Sequence, residues 1–552
     1  MPIVSPQLLE SVFSSLAKDD IKIALQQGLV PVAWLPYQIF YAQCEGFAPS
    51  SNHQIVAKAE PTQFNDVVQK VLSRRLARQA AFGLAANIPI FSARRRFTLA
   101  QGVSFGLAAL VLLASLAVMP ASFNHHMLGI LFSVFFSTMI WLRVMALNEP
   151  YAHRRQEPER DDAKLPVYSI LVPLFRETAV LPQLIAALGS IHYPTEKLDI
   201  KLIIEEKDLA MRQAIAAIKF PRHFQILVVP SGRPQTKPRA LNYALNFARG
   251  SLVTIYDAED IPEPMQLRMA VKAFADLPKS IACLQAELGF YNPNENWLTR
   301  QFTIEYAVLF KLILPGLAAD FLPLPLGGTS NHFRKDVLQA VGGWDPHNVT
   351  EDADLGFRLA RLGYHTSTLD STTYEEANTA LRNWLQQRAR WFKGFLQTWL
   401  VHMRRPLALI EEVGVAGFMT LQASVLGVVI SAALYPLFLA STVYHIASAA
   451  FQKDAMTFAF ASLAEAFYIG LFMLGLTVMI YSGAVALKRK GIIGWWLALA
   501  SMPVYWLLAS FAAWIAIWQF AFNPFHWNKT RHGLSRFVLR PKTNTPISRA
   551  EP

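Results

Sequence analysis

The sequence predicts an α/β domain inserted between transmembrane α-helices, with a small α/β module ahead of them. Three observations carry this. Hydrophobic residues make up 53% of the 552 and charged residues only 16%, against about 25% charged in an ordinary soluble domain. Apolar runs of about 20 residues, the length that crosses a bilayer core, fall before residue 150 and after residue 410. Between them short apolar runs alternate with charged, helix-like stretches, the texture of strands and helices in a layered sheet.

Taken in order, residues 1–95 read as a polar module of mixed pattern. Its start, "MPIVSPQLLESVFSSLAKDD", lacks the basic head and apolar run of a secretory leader. Residues 100–148 hold two apolar runs, 102–123 and 127–147, joined by "NHH". Arg94, Arg95 and Arg96 precede the pair, and Arg143, Arg154 and Arg155 close it, so both ends are expected on the cytoplasmic side. Residues 165–400 form the α/β region. "VYSILVPLF" (167–175), "DIKLIIEE" (199–206), "FQILVVP" (224–230) and "GSLVTIYDAED" (250–260) read as buried strands of a parallel sheet. Ligands of such sheets bind beyond the carboxyl ends of the strands. Residues 410–522 turn apolar again. The runs 413–443 and 457–487 can each span, and Lys488, Arg489 and Lys490 end the second. The stretch 492–522, broken near Pro503, is followed by a basic tail, 523–552. One crossing between two cytoplasmic ends is impossible, so 492–522 is a tight hairpin, a re-entrant pair or partly an interfacial helix.

The composition excludes other classes. Two cysteines, Cys44 and Cys283, give neither a disulfide framework nor a cysteine-rich zinc site. The net charge of +12 comes without a nucleic-acid motif. Its basic runs sit beside apolar ones, which favours a membrane surface over nucleic acid.

Four short motifs carry chemistry. "YDAED" sets Asp257, Glu259 and Asp260 at a strand end, where carboxylates two apart can share a hard cation or form a solvated acidic turn. "TED" sets Glu351 and Asp352 at the start of a helical pattern, as a dipole-favoured cap or, with Asp352, as a general base. "QQRARWFKGF" places Gln387, Arg390 and Trp391 on one helix face. That face suits a sugar ring and a phosphate, or the lipid boundary. "TKPRALN" offers Lys237, Arg239 and Asn242 at a helix start, where basic side chains can meet a diphosphate.

In this order and spacing the chain resembles the membrane-integrated family-2 glycosyltransferases, which include cellulose, hyaluronan and poly-N-acetylglucosamine synthases. The likeness covers about 165–530 and implies a GT-A type domain. "LVPLFRE" looks like the first strand and its nucleotide-contacting turn, ending in Glu177. "IIEEKD" stands at the first acidic motif, with Glu205, Glu206 and Asp208 near the nucleoside. Lys237 falls in the motif that contacts the donor diphosphate. Asp257 and Glu259 stand at the DxD motif, holding the diphosphate and a divalent metal, Mg or Mn. Asp352 is implied as the catalytic base, with Glu351, Gln387, Arg390 and Trp391 along the acceptor and diphosphate region. "NPFHWNKTRHG" resembles a gating segment in which Trp527, Thr530 and Arg531 would contact the nucleotide; its other reading is a basic juxtamembrane tail. Glu259 in place of an aspartate, and "EEKD" in place of paired aspartates, are departures from the family pattern.

The resemblance implies inverting transfer of a hexose from a nucleotide sugar, UDP-activated, to a growing polysaccharide such as a β-glucan. Export across a bacterial inner membrane goes with it, the catalytic domain facing the cytoplasm. The alternatives are single transfer to a lipid carrier and a non-enzymatic membrane receptor. The N-terminal module resembles the N-terminal domain of secretion-type ATPases, versions of which bind cyclic di-GMP; docking of a regulatory protein, or plain stabilisation, is its other reading.

Overall fold

The computed structural model describes residues 1–35, 38–45, 53–149, 157–451, 463–523 and 535. The chain opens with helices α1 (Pro6–Ser15) and α2 (Lys18–Gln27), then strands β1 (Leu29–Leu35), β2 (Gln38–Cys44) and β3 (Gln54–Ala59). Ser5 starts α1 by accepting the Leu8 N–H, and Gly28, at φ 65°, ends α2, the left-handed stop that glycine adopts without strain. The three strands form their own sheet in the order β1-β2-β3. The 27-residue α3 (Pro61–Asn87) leaves this module and runs onto the central domain. There Asn65 donates to Gln225 and Asn242 donates to the Ala80 carbonyl. Two long helices follow, α4 (Leu99–Val118) and α5 (Ala121–Asn148). Thr98 and Gln101 close a reciprocal capping box at the start of α4.

The central domain contains β4 (Tyr168–Leu174), α6 (Leu181–Gly189), β5 (Leu198–Glu205), α7 (Leu209–Ala216), β6 (Phe224–Val229), α8 (Lys237–Leu245), β7 (Leu252–Ile255), β8 (Ile261–Pro262) and α9 (Gln266–Asp276). Then come β9 (Ile281–Phe290), α10 (Trp297–Val308), a π-helical turn, α11 (Leu314–Ala319), β10 (Asn331–Arg334), α12 (Lys335–Ala340), α13 (Glu351–Arg361), β11 (His365–Glu375) and α14 (Leu381–His402). The eight-stranded sheet has the order β6-β5-β4-β7-β10-β9-β11-β8. Its first four strands are parallel, joined by helices, and they are the four runs the sequence picks out. The sheet as a whole is mixed, not parallel: β10 is antiparallel to β7 and β9, and β8 is antiparallel to β11. Strands of two and four residues carry no readable alternation, which is why these stayed hidden. Every residue of β5 and β9 is buried, as expected of strands covered on both faces.

The remaining helices are α15 (Pro406–Leu421), α16 (Val428–Phe451), α17 (Leu463–Arg489), α18 (Trp496–Ala500) and α19 (Met502–Phe522). Six stretches among the described residues are long and apolar enough to cross a membrane, among them Trp297–Ala319 in the central domain and Met502–Phe522. The α14 helix lies flat on the central domain: near its start Gln387 accepts from Asn378, and near its end Gln397 accepts the Val349 N–H. The α19 helix runs beside it in the same direction. Trp384 donates to Tyr505, and further along Lys393 donates to Gln519 at 3.5 Å. Ala389 and Phe392 of α14 bury against Ala512, Ala513 and Ala516 of α19. Both ends of α19 meet the domain side, Ser501 taking the Trp297 indole N–H and the Ala521 carbonyl accepting from Arg96.

Candidate functional site

The carboxyl ends of β4, β5 and β7 open into a cavity of about 820 Å³. Its lining includes Glu177, Glu205, Lys237, Asp257, Glu259, Glu351, Asp352, Gln387, Arg390 and Trp391. Residues from six separate motifs thus face one space. The cavity continues past α14 to Met139 and Arg143 of α5, Tyr435 of α16, Met479 of α17 and Trp506 of α19.

The strand-end turn 257–260 is built by Asp260. Its buried carboxylate accepts the Asp257 N–H at 2.7 Å and the Thr329 hydroxyl. Burial, with Asp257, Glu259 and Glu375 close by, pushes its pKa well above the carboxylate range. Asp260 therefore shapes the turn, and Asp257 and Glu259 are the two that line the cavity. Lys237 begins α8 and reaches across: its ammonium lies 2.6 and 2.8 Å from the two Asp257 oxygens and 2.7 Å from the Gly328 carbonyl. Burial works against its charge, but Asp257, Glu351 and Asp352 outweigh it and raise the pKa.

Glu351 and Asp352 occupy the first turn of α13, where the helix dipole favours negative charge. Burial raises both pKa values, and for Glu351 the adjacent Asp352 adds to a value of about 8. Asp352 accepts the Ala353 N–H at 2.8 Å. The α14 helix packs directly on this turn. A Cβ at Gly394 would lie 2.4 to 2.8 Å from Thr350 atoms, so only glycine lets the Gln-Arg-Trp helix come that close. Arg390 faces Glu351, Asp352, Asp257 and Glu259; burial lowers its pKa against their pull. Trp391 is packed between Phe302 and Tyr306, ring centroids 6.0 and 6.4 Å away, and the Arg388 guanidinium lies 4.8 Å from its own ring.

Some expected residues stand elsewhere. Asp208 caps α7 through the Met211 N–H and takes the Arg176 N–H at 2.6 Å. It holds the turn after β4, where Arg176 adopts φ 56°, and it does not line the cavity. Glu206 points to the surface and accepts the Ser231 N–H at 2.8 Å. Of the first acidic motif only Glu205 reaches the cavity, its pKa raised to about 7 by burial against the pull of Arg239. Arg239 is 1% exposed and donates to the Pro230 carbonyl, and Asn242 ties α8 to both the nitrogen and the carbonyl of Trp344. Neither lines the cavity. Trp527, Thr530 and Arg531 lie outside the described residues. Ser535 of the same tail donates to Glu376 and Glu295.

Two cavity residues escaped the sequence reading. Glu375, the last residue of β11, lines the cavity. Burial, then Glu259 and Asp257, raise its pKa to about 8. Its signal was the "YEEAN" that ends an alternating run, an acidic strand end like "YDAED". Arg388 pairs with both oxygens of Glu305 and donates to the Tyr505 hydroxyl at 3.1 Å, fastening α14 to α10 and α19. The sequence shows Arg388 only as a spacer within the Gln-Arg-Trp motif.

The donor set has the chemistry of a hard-cation site. Asp257, Glu259 and Glu375 line the cavity together, the charges of the first two add to burial in raising the Glu375 pKa, and among the described residues Glu375 Oε1 is buried without a hydrogen-bond partner. Among the described residues no three acidic, His or Cys side chains are grouped to hold a metal unaided. One or two carboxylates completed by substrate phosphates is the usual arrangement for magnesium, and these residues fit it.

Residues 166–394 match the family model described as Glycosyltransferase like family 2. A probable glycosyltransferase, YdaM, of Bacillus subtilis is 26% identical over 42% of this chain and 56% of its own. A beta-monoglucosyldiacylglycerol synthase of Nostoc is 26% identical over 47% of this chain and 55% of its own. Cellulose synthase 2 of Novacetimonas hansenii is 27% identical over 45% of this chain and 15% of its own. The matched stretch thus spans about half the length, or less, of these relatives. Residues 166–394 are a glycosyltransferase family 2 domain of mixed α/β fold, carried by a chain with several helices apolar and long enough to span a membrane.

Proposed function

We propose that the chain is an inverting hexosyltransferase that moves a sugar from a nucleotide diphosphate sugar to a hydroxyl delivered from the membrane helices. The observation that carries this is the single cavity shared by the acidic strand ends, the first turn of α13, the Gln-Arg-Trp helix and the membrane-side helices. The donor's diphosphate lies by Lys237 and Arg390, its nucleoside toward Glu177 and Glu205. Asp352 takes the proton of the acceptor hydroxyl, the oxygen attacks the anomeric carbon, and the bonding pair leaves with the nucleoside diphosphate. Asp257 and Glu259, with Glu375 behind them, would hold a divalent ion, magnesium or manganese. Such an ion, when bound, offsets charge on the departing diphosphate. Lys237 holds Asp257 in place and adds its own charge beside the diphosphate.

Two acceptors are in play. The Gln-Arg-Trp motif and the likeness to cellulose synthase favour a growing glycan that leaves across an inner membrane, with UDP-hexose as donor. The glucolipid synthase relatives, and the apolar lining of the membrane-side half of the cavity, favour a lipid. The N-terminal module, joined to the domain through α3, is proposed as a regulatory attachment, for cyclic di-GMP or a protein.

The test is nucleoside diphosphate release by the purified full chain with a panel of nucleotide sugars and magnesium or manganese. Release with one donor, lost in Asp352→Asn, is expected. Release that survives Asp352→Asn unchanged would refute the assignment of the base. No release with any donor, with a lipid extract and glycan primers supplied, would refute the enzyme. Product size and solubility then separate glycan from lipid.

A further inference from the structure

The membrane-side half of the cavity holds a charge that the transfer mechanism does not use. Arg143 lies on α5, inside a stretch apolar and long enough to span a membrane, and lines the cavity. Its hydrogen bond is to the Met139 carbonyl of its own helix, at 3.4 Å. Among the described residues no carboxylate lies within ion-pair distance of it. Glu305 faces the same cavity, but Arg388 pairs with both of its oxygens and Tyr505 donates to one. Two guanidiniums and one carboxylate leave the throat with one net positive charge. A charged side chain within a span is costly, and where it persists it marks a ligand or transport site.

Two more polar atoms share the chamber unsatisfied. The hydroxyls of Ser431 and Tyr435, both on α16, line it and have no hydrogen-bond partner among the described residues; Tyr435 is 6% exposed. The walls around them are apolar: Met139, Val428, Leu476, Met479, Trp506 and Ala509. Arg143 to Phe136 is seven residues of helix, about 10 Å at 1.5 Å per residue. At that depth Phe132, Phe136, Tyr435 and Phe472 form a buried cluster packed against Phe438. Gly475 leaves room for it, since a Cβ there would fall 2.0 Å from the Phe136 ring. Phe136 and Tyr435 of this cluster line the chamber, so aromatic rings border it at that depth. A glycan has hydroxyls on every ring and would lose water there against walls with few partners. Acyl chains lose nothing by entering.

We propose that this chamber is the acceptor subsite for a phospholipid. Arg143 binds the phosphate, Ser431 and Tyr435 donate to its oxygens or to the ester groups, and the chains lie along the apolar walls. A hydroxyl on the head group is then directed along the cavity to Asp352. The proposal rests on the hexosyl-transfer reading and commits it to a lipid acceptor.

The experiment uses the full chain in nanodiscs of phosphatidylcholine with or without phosphatidylglycerol. It reads the lipid that stays with the protein after detergent exchange, by mass spectrometry. Wild type retains phosphatidylglycerol, Arg143→Ala retains at least tenfold less, and Arg143→Lys falls between. Tyr435→Phe and Ser431→Ala, which remove one oxygen each, lose a few-fold, and they carry the test if Arg143→Ala does not fold. Millimolar inorganic phosphate does not displace the lipid; if it does, the site is one for free phosphate and the proposal fails. Equal retention by wild type and all four variants overturns it. A water-soluble glycan product with no lipid attached, formed equally by wild type and Arg143→Ala, overturns it as well. Asp352→Asn retains lipid like wild type. If both retain it and neither transfers hexose to any acceptor, the transfer reading fails while the lipid site stands.

Discussion

The two ends of the cavity solve opposite problems with the same chain. At the strand ends, seven carboxylates (Glu177, Glu205, Asp257, Glu259, Glu351, Asp352 and Glu375) line a space with Lys237 and Arg390 as nearby cations. Several of these acids are held above their ordinary pKa because burial and one another's charge disfavour ionisation. At the helix end the walls are apolar and the excess charge is the single Arg143. The first end is short of positive charge, which in the proposed reaction a cation would supply beside the donor diphosphate. The second is short of a negative group and of apolar filling. The difference shows that one continuous cavity can carry two chemically distinct ends, with α14 at the junction; the proposed reaction would place a nucleotide sugar at one and a membrane-borne acceptor at the other.

The sharpest way to break this contrast is at its base. Asp352→Asn is expected to lower transfer by roughly 10²- to 10⁴-fold, the span of a lost general base. Nucleotide binding, read by calorimetry, stays within a few-fold. Next comes Lys237→Ala, which leaves Asp257 without its partner and the diphosphate without a cation. Donor kcat/KM is expected to fall by about 10²-fold, the scale of losing one charge-stabilising group. Removal of divalent ions with EDTA should abolish transfer by wild type, and magnesium or manganese should restore it.

The seam itself is tested by Glu305→Gln. Removing one partner of the Arg388 pair should destabilise the protein by roughly 2–3 kcal/mol, below the fully buried case because Glu305 is partly exposed to the cavity. A fall in melting temperature checks this.

A pH effect separates the two ends further. Glu205, Glu351 and Glu375 have folded pKa values of about 7, 8 and 8, above their ordinary 4.5. A carboxyl raised on folding keeps its proton in the native state while the unfolded chain has lost it. Stability from these groups is therefore full below the unfolded value and declines as pH rises toward the folded one. The ligand-free protein should melt several degrees lower, about 3–6 °C, at pH 8 than at pH 5. Magnesium with UDP should restore more at pH 8 than at pH 5. Equal melting at both pH values would show that the acidic end is not crowded in solution. The smallest expected effect is Glu206→Ala: a surface residue outside the cavity, it should change stability by no more than about 0.5 kcal/mol and leave donor KM unchanged.

Much of the acidic end was legible because its chemistry sits in short contiguous strings. "YDAED", "TED" and the Gln-Arg-Trp helix each announce themselves by residue type and spacing, and all three face the cavity. What misled was assigning roles within a string. "EEKD" has one member in the cavity, one on the surface and one capping a helix, because consecutive residues after a strand point in different directions. Glu375 was missed for the opposite reason: its partners Asp257 and Glu259 are more than a hundred residues away in sequence.

By itself the sequence determined the α/β domain between apolar helices, four of its eight strands and the identity of most acidic residues in the cavity. These follow from local periodicity and from motifs shorter than ten residues. Only the tertiary structure decided that the sheet is mixed and that α19 lies along α14. It also decided that Arg143, Ser431, Tyr435 and Phe136 line one chamber. The hydropathy of 492–522 fits a crossing and a covering helix equally well, while the burial of its alanines against Ala389 and Phe392 of α14 is seen only in the assembled structure. Burial of that kind is a property of the assembled surface, and no window of the sequence contains it.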